Sequence, residues 1–109
     1  MEYHRVVCLI GTTKPEWKNR YREVLTKLTL KGHLVLTVVW FRDELENFES
    51  HRDLLESIHF QKIRMSDLVI CIHKKAIGFH TQKEMEYARK IGKPVFFAED
   101  FCKELKELP

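Results

Sequence analysis

Arg5-Val6-Val7-Cys8-Leu9-Ile10-Gly11-Thr12-Thr13-Lys14-Pro15 is the stretch whose reading decides the fold. Residues 5–11 are apolar and β-branched with almost no polar interruption, which suits a strand buried on both faces rather than one with a wet side. The Gly-Thr-Thr-Lys-Pro that closes the run reads as a loop leading into a helix that starts near Pro15, where a missing backbone N–H does no harm. Trp17, Tyr21, Val24, Leu25 and Leu28 then recur at helical spacing until Gly32 ends the helix.

Outward from this unit the same alternation continues. Residues 33–40 read as a second strand and residues 41–50 as an acidic connection without a clear period. Leu54, Leu55, Ile58, Lys62 and Met65 mark a second helix over about 51–64. Residues 68–72 form a third short apolar strand, Thr81 leads a third helix, and residues 94–97 form a fourth strand followed by a C-terminal helix. Apolar strands alternating with helices predict an α/β, flavodoxin-like or Rossmann-like three-layer domain, its parallel sheet covered on both faces and ordered 2-1-3-4. No internal repeat or linker divides the chain, so residues 1–109 are read as a single domain.

Composition narrows the class. A hydrophobic content of 44% with four glycines and three prolines indicates a packed globular protein, not a disordered or fibrous one. Cys8, Cys71 and Cys102 are widely spaced, and the first two lie inside apolar runs where cysteine behaves as a small buried hydrophobe, so a reducing, cytoplasmic location is expected. No signal region or membrane-spanning run is evident. The net charge of +3 comes without a concentrated Lys/Arg tract, which favours a small anionic ligand over a nucleic-acid polymer.

In parallel sheets of this kind, ligands bind outside the carboxyl ends of the strands where the strand order reverses. That rule selects Gly11, Thr12, Thr13 and Lys14 after the first strand, Trp40 and Phe41 after the second, residues 73–78 after the third, and the start of the Thr81 helix. Asp67 precedes the third strand and is read as a turn or cap residue at the opposite end. Glu84 passes the filter and is unusual, because it shares a helix stripe with Tyr87, Ala88 and Ile91. Two readings account for it: a capping box in which Thr81 is the N-cap and Glu84 reaches back to it, or a carboxylate placed for chemistry.

The ordered set Gly78, Thr81, Glu84, Tyr87, Ala88, Gly92, Lys93, Pro94 and Val95 resembles the signature of the nucleoside 2-deoxyribosyltransferase-like superfamily. The similarity extends upstream through Ile58-His59-Phe60-Gln61-Lys62-Ile63 and Asp67-Leu68-Val69-Ile70, and is most specific over residues 58–98. The resemblance implies that Glu84 is a nucleophile that attacks the anomeric carbon of a nucleoside and expels its base, after which another base or water accepts the sugar. It implies that His59 stands where the transferases carry an aspartate that helps protonate the leaving base; a helix histidine bonded to a backbone carbonyl is the other reading of that position. His73-Lys74-Lys75-Ala76-Ile77 replaces an acidic segment that contacts substrate in the transferases.

The remaining candidates are read in pairs of alternatives. Thr12, Thr13 and Lys14 suit an anion held by backbone N–H groups and a lysine, or a helix cap with a solvated lysine. Lys74 and Lys75 with Lys14 suit a 5′-phosphate, or a solvated loop. Trp40 and Phe41 suit stacking on a base, or core and interface packing. Gly78, Thr81 and His73 complete the expected substrate-binding set, with Glu84 and His59 as the catalytic pair. No cofactor and no metal are expected, since no cysteine or histidine pair has zinc spacing, although His73 and His80 flank one loop and could meet. A chain of 109 residues has little surface to enclose a nucleoside, so a homodimer or larger homo-oligomer is expected. The two functions carried forward are N-glycosidic cleavage or deoxyribosyl transfer on a nucleoside or nucleotide, and a non-catalytic nucleotide-sensing or protein-interaction domain on the same fold.

Overall fold

The computed structural model describes residues 4–101, so Cys102 and the continuation of the C-terminal helix lie outside the described residues. Four parallel strands, β1 (Val6–Ile10), β2 (Leu34–Leu36), β3 (Leu68–Cys71) and β4 (Val95–Phe97), form one sheet in the order β2-β1-β3-β4, as the alternation predicts. Val7 lies opposite Val35 on one side and Leu68 on the other, and Ile70 opposite Phe96, so β1 and β3 are the central strands. The helices are α1 (Lys18–Leu30), α2 (Arg52–Met65), α3 (Phe79–Lys90) and the short α4 (Ala98–Phe101).

Strand alternation sorts the core into two layers. Val7 and Leu9 of β1, with Leu68 and Ile70 of β3, face the α1 stripe of Tyr21, Val24 and Leu28, joined by Phe41 and Ala98. Cys8 and Ile10, with Val69 and Cys71, face Ile63 of α2 and Met85 and Ala88 of α3. Phe60 and Tyr87 close that second layer with ring centroids 4.7 Å apart. At the amino ends of the strands, the Val6 N–H donates to the Asp67 carboxylate at 2.7 Å, so Asp67 clamps β1 to the start of β3, far from the carboxyl ends.

Three local differences from the sequence reading shape the molecule. The second strand stops at Leu36, not residue 40: the Thr37 carbonyl accepts from Lys62 Nζ at 2.8 Å, and the chain after it leaves the sheet to form a wall. The acidic connection holds a left-handed Asn47 and a 3-10 turn, Phe48–His51, that feeds α2. The third helix begins at Phe79, with Gly78 as its N-cap and no side-chain capping bond, so Thr81 is already inside the first turn. The capping box is therefore absent, and Glu84 sits in the second turn with no backbone N–H to cap.

Candidate active site

At the carboxyl ends of β1 and β3 the order of the sheet reverses, and a crevice of about 320 Å³ opens there. Gly11, Thr12, Thr13 and Lys14 form its floor, Val38 to Trp40 one wall, α2 a second wall, and Gly78 to Glu84 of the α3 start a third. Gly11 has φ +148°, and a Cβ there would stand 2.6 Å from Ile72 Cγ1, so only glycine lets β1 turn this closely beside β3. His73, fully enclosed beneath, accepts the Thr12 N–H on Nε2 at 3.0 Å and donates from Nδ1 to the Lys75 carbonyl at 3.1 Å. Its part is to brace the loops after β1 and β3; it does not line the crevice and does not meet His80.

Glu84 reaches the crevice from α3, and its Oε2 lies 3.7 Å from Nε2 of His59 on α2; the two side chains are 13% and 8% exposed. Burial, with a smaller contribution from the Glu56 carboxylate, pushes the Glu84 acid up to about 8. The positive end of the α3 dipole does little to offset this, because the carboxyl lies in the second turn of the helix. Burial, reinforced by the Lys62 cation, lowers His59 to about 4 against a backbone hydrogen bond at Leu9. At neutral pH His59 is an uncharged imidazole, which combines the backbone-bonded reading of this residue with a place beside Glu84. Cys8 lies 3.9 Å from His59 Nε2, and burial drives its thiol up to about 12, so it packs the floor without the thiolate that chemistry would need.

The structure brings Gly11, Thr12, Thr13, Lys14, Trp40, Gly78, Thr81, Glu84 and His59 around one crevice. Phe41 is not with them: it turns into the α1 layer, 8% exposed, edge-on to Tyr21 at 5.3 Å. Adjacent residues on an extended segment face opposite ways, so Trp40 and Phe41 could not both serve. Lys74 pairs with Asp100 at 2.9 Å and stays outside the lining, as does Lys75. The basic residues that do line the crevice besides Lys14 are Arg42, Arg52 and Lys62. Sequence reasoning also passed over Glu56, which binds His80 Nδ1 at 2.8 Å and Lys83 Nζ at 2.7 Å. The missed signal is a polar stripe on α2, Arg52, Glu56, His59 and Lys62, recurring at helical spacing on the face turned to the crevice.

Among the described residues, no group of three or more His, Cys, Asp or Glu side chains stands together to hold a metal ion. No helix among them is long and apolar enough to cross a membrane. Cys8 and Cys71 are buried and unpaired with one another.

Fold and crevice together define an α/β domain with a carboxyl on the inner wall of a crevice at the switch point of its sheet. Among solved structures the chain is similar to the Clostridium botulinum CMP N-glycosidase BcmB, with 22% identity and a TM-score of 0.59 over 85% of this chain and 70% of that one. At that identity the likeness is one of fold. No protein-family profile and no protein of curated function matches the sequence.

Proposed function

We propose that this protein cleaves the N-glycosidic bond of a nucleoside or nucleotide, with Glu84 as the nucleophile. The observation that carries the reading is Glu84 itself: a nearly buried carboxyl that caps nothing, on the wall of the crevice, beside an uncharged His59. The shared fold with a CMP N-glycosidase supports the same class of chemistry, as does the superfamily resemblance of residues 58–98.

In the first step Glu84 acts in its ionised form, the minority species at neutral pH for a group pushed up to about 8. An oxygen of that carboxylate bonds to the anomeric carbon as the bond to the base nitrogen breaks, and the electron pair leaves with the base. The transition state is oxocarbenium-like, so positive charge develops on the sugar. A carboxylate that burial has stripped of water interacts more strongly with that charge than a solvated one, and it gains most when the charge appears. Water then attacks the glycosyl ester in hydrolysis, or a second base attacks it in deoxyribosyl transfer. His59 packs beside the Glu84 carboxyl rather than acting as an acid, because an imidazole lowered to about 4 carries no labile proton at neutral pH. Lys14, Arg42, Arg52 and Lys62 favour an anionic substrate such as a 5′-phosphate, and Trp40, 44% exposed, is placed to stack on a base.

Ile58 and Phe79 line the crevice yet are 43% and 74% exposed. A second copy of the chain covering that apolar rim would complete the pocket, and mass in solution tests it: a strict monomer at micromolar concentration counts against a shared site. The enzymatic reading is tested by free-base release from a panel of ribo- and deoxyribonucleosides and their 5′-monophosphates. Release by wild type that disappears in folded Glu84→Gln supports it. Equal background from both overturns it, and saturable nucleotide binding without release would then assign the crevice to sensing.

A further inference from the structure

If His59 is uncharged and Glu84 is the nucleophile, the reaction above lacks one part, a proton for the departing base. The crevice holds another histidine that this chemistry has not used. His80 stands one turn before Glu84 on the same face of α3, and both line the pocket. Its Nδ1 is 2.8 Å from Oε2 of Glu56, a carboxylate only 15% exposed on the facing helix α2. The other oxygen of Glu56 takes Lys83 Nζ at 2.7 Å, so the carboxylate is held from both sides with one oxygen aimed at the imidazole. The Phe79 ring lies edge-on to His80, with ring centroids 5.5 Å apart. Pinning α3 to α2 would need only the Lys83 bond, so the histidine is surplus to a purely structural tie.

Resting on the Glu84 reading, we propose that His80 is the acid that protonates the leaving base and Glu56 is the residue that positions it. The Glu56 carboxylate fixes Nδ1 as an N–H side and leaves Nε2 as the nitrogen that can serve the substrate. In the first step the bond from the anomeric carbon to the base breaks, its electron pair goes to the base nitrogen, the carboxylate oxygen of Glu84 bonds to the anomeric carbon, and the Nε2 proton passes to the base. In the second step water bonds to the anomeric carbon, the ester bond breaks to return the Glu84 carboxylate, and the water proton restores the imidazolium. No other reactant is needed.

The test uses matched substrates that differ only in whether the base must be protonated. Cytidine 5′-monophosphate and guanosine 5′-monophosphate are compared with their N3-methyl and N7-methyl cations, whose bases leave uncharged without a proton. His80→Asn is expected to slow release from the unmethylated pair by about 100-fold, the usual scale of acid catalysis, and from the methylated pair by less than about threefold. Glu56→Gln should show the same selectivity at smaller amplitude, with thermal melting confirming that both variants fold. Equal losses on both pairs, or no loss on either, overturn the assignment. Glu84→Gln separates the two readings: if it abolishes release from all four substrates while His80→Asn alters none, the nucleophile stands and the acid falls. If wild type releases no base from any of them, both fall.

Discussion

On one face of the sheet α1 lays Tyr21, Val24 and Leu28 against Val7 and Leu9, while on the other α2 and α3 set His59, Lys62 and Glu84 beside Cys8. Both faces rest on the same two central strands. The α1 layer is mainly apolar, with the Tyr21 hydroxyl buried without a hydrogen-bond partner and the Trp17 ring packed on buried His73 at 5.1 Å. The α2–α3 layer is apolar near the amino ends of the strands, at Ile63 and Ala88, and turns titratable toward the carboxyl ends. Burial of ionisable groups costs stability, so their concentration on one face at one end makes that region the candidate for function.

The contrast can be broken most severely at Glu84. Under the proposed function, Glu84→Gln removes the nucleophile and should lower base release by about 10³-fold or more with no loss of folding. A kinetic assay on protein of native circular dichroism checks it, and retained release would put Glu84 on a par with the apolar layer.

The same substitution should sharpen the contrast in stability. Glu84 in the folded chain titrates at about 8 against an ordinary 4.5, so between these values the folded state holds a proton that the unfolded chain has lost. Stability from this group is therefore intact below pH 4.5 and falls as pH rises through about 8. His59 works in the opposite sense: its folded value of about 4 lies below the ordinary 6.5, so stability rises with pH between these two values. His59 is common to both proteins and cancels from their difference, so Glu84→Gln should gain on wild type as pH rises from 4.5 to about 8, by a few kcal/mol in all at about 1.4 kcal/mol for each pKa unit. Urea titrations at pH 5, 7 and 9 measure the gain, and parallel curves would contradict the burial of the carboxyl.

Leu28→Ala on the α1 face should show the complementary pattern. It empties a fully buried site and should cost about 3 kcal/mol, while activity per folded molecule stays unchanged. Chemical denaturation and an activity assay on the same sample separate the two. Gly11→Ala falls between the faces, because it meets Ile72 Cγ1 at 2.6 Å and forces a left-handed φ. A loss of about 1–3 kcal/mol is expected together with weakened ligand binding, since Gly11 turns the floor of the crevice. Melting temperature and ligand titration read the two effects.

The order β2-β1-β3-β4 was legible in advance because apolar strands alternating with helices admit few topologies, and the run from Arg5 to Ile10 already required cover on both faces. The place of Glu84 was legible too, since helical spacing puts it on the inward stripe whichever residue begins the helix. The cap was not legible: Thr81-x-x-Glu84 satisfies the capping pattern, but the chain after β3 enters the helix at Phe79, and backbone geometry overrides the local signal. Trp40 and Phe41 illustrate the same limit at the edge of the sheet, where leaving β2 after Leu36 sends one ring to the crevice and its neighbour to the core.

What the sequence by itself determined is the sheet, its layers, the end at which the crevice opens and the inward carboxyl at residue 84, because each follows from periodicity along one element or from the order of elements. What only the tertiary structure decided is the company that carboxyl keeps. Glu56 and His80 come from different helices, as do His59 and Glu84, and nothing local ties either pair together. Their distances and the degree of burial that pushes Glu84 up to about 8 depend on how α2 and α3 pack across β1 and β3, a property of the assembled core.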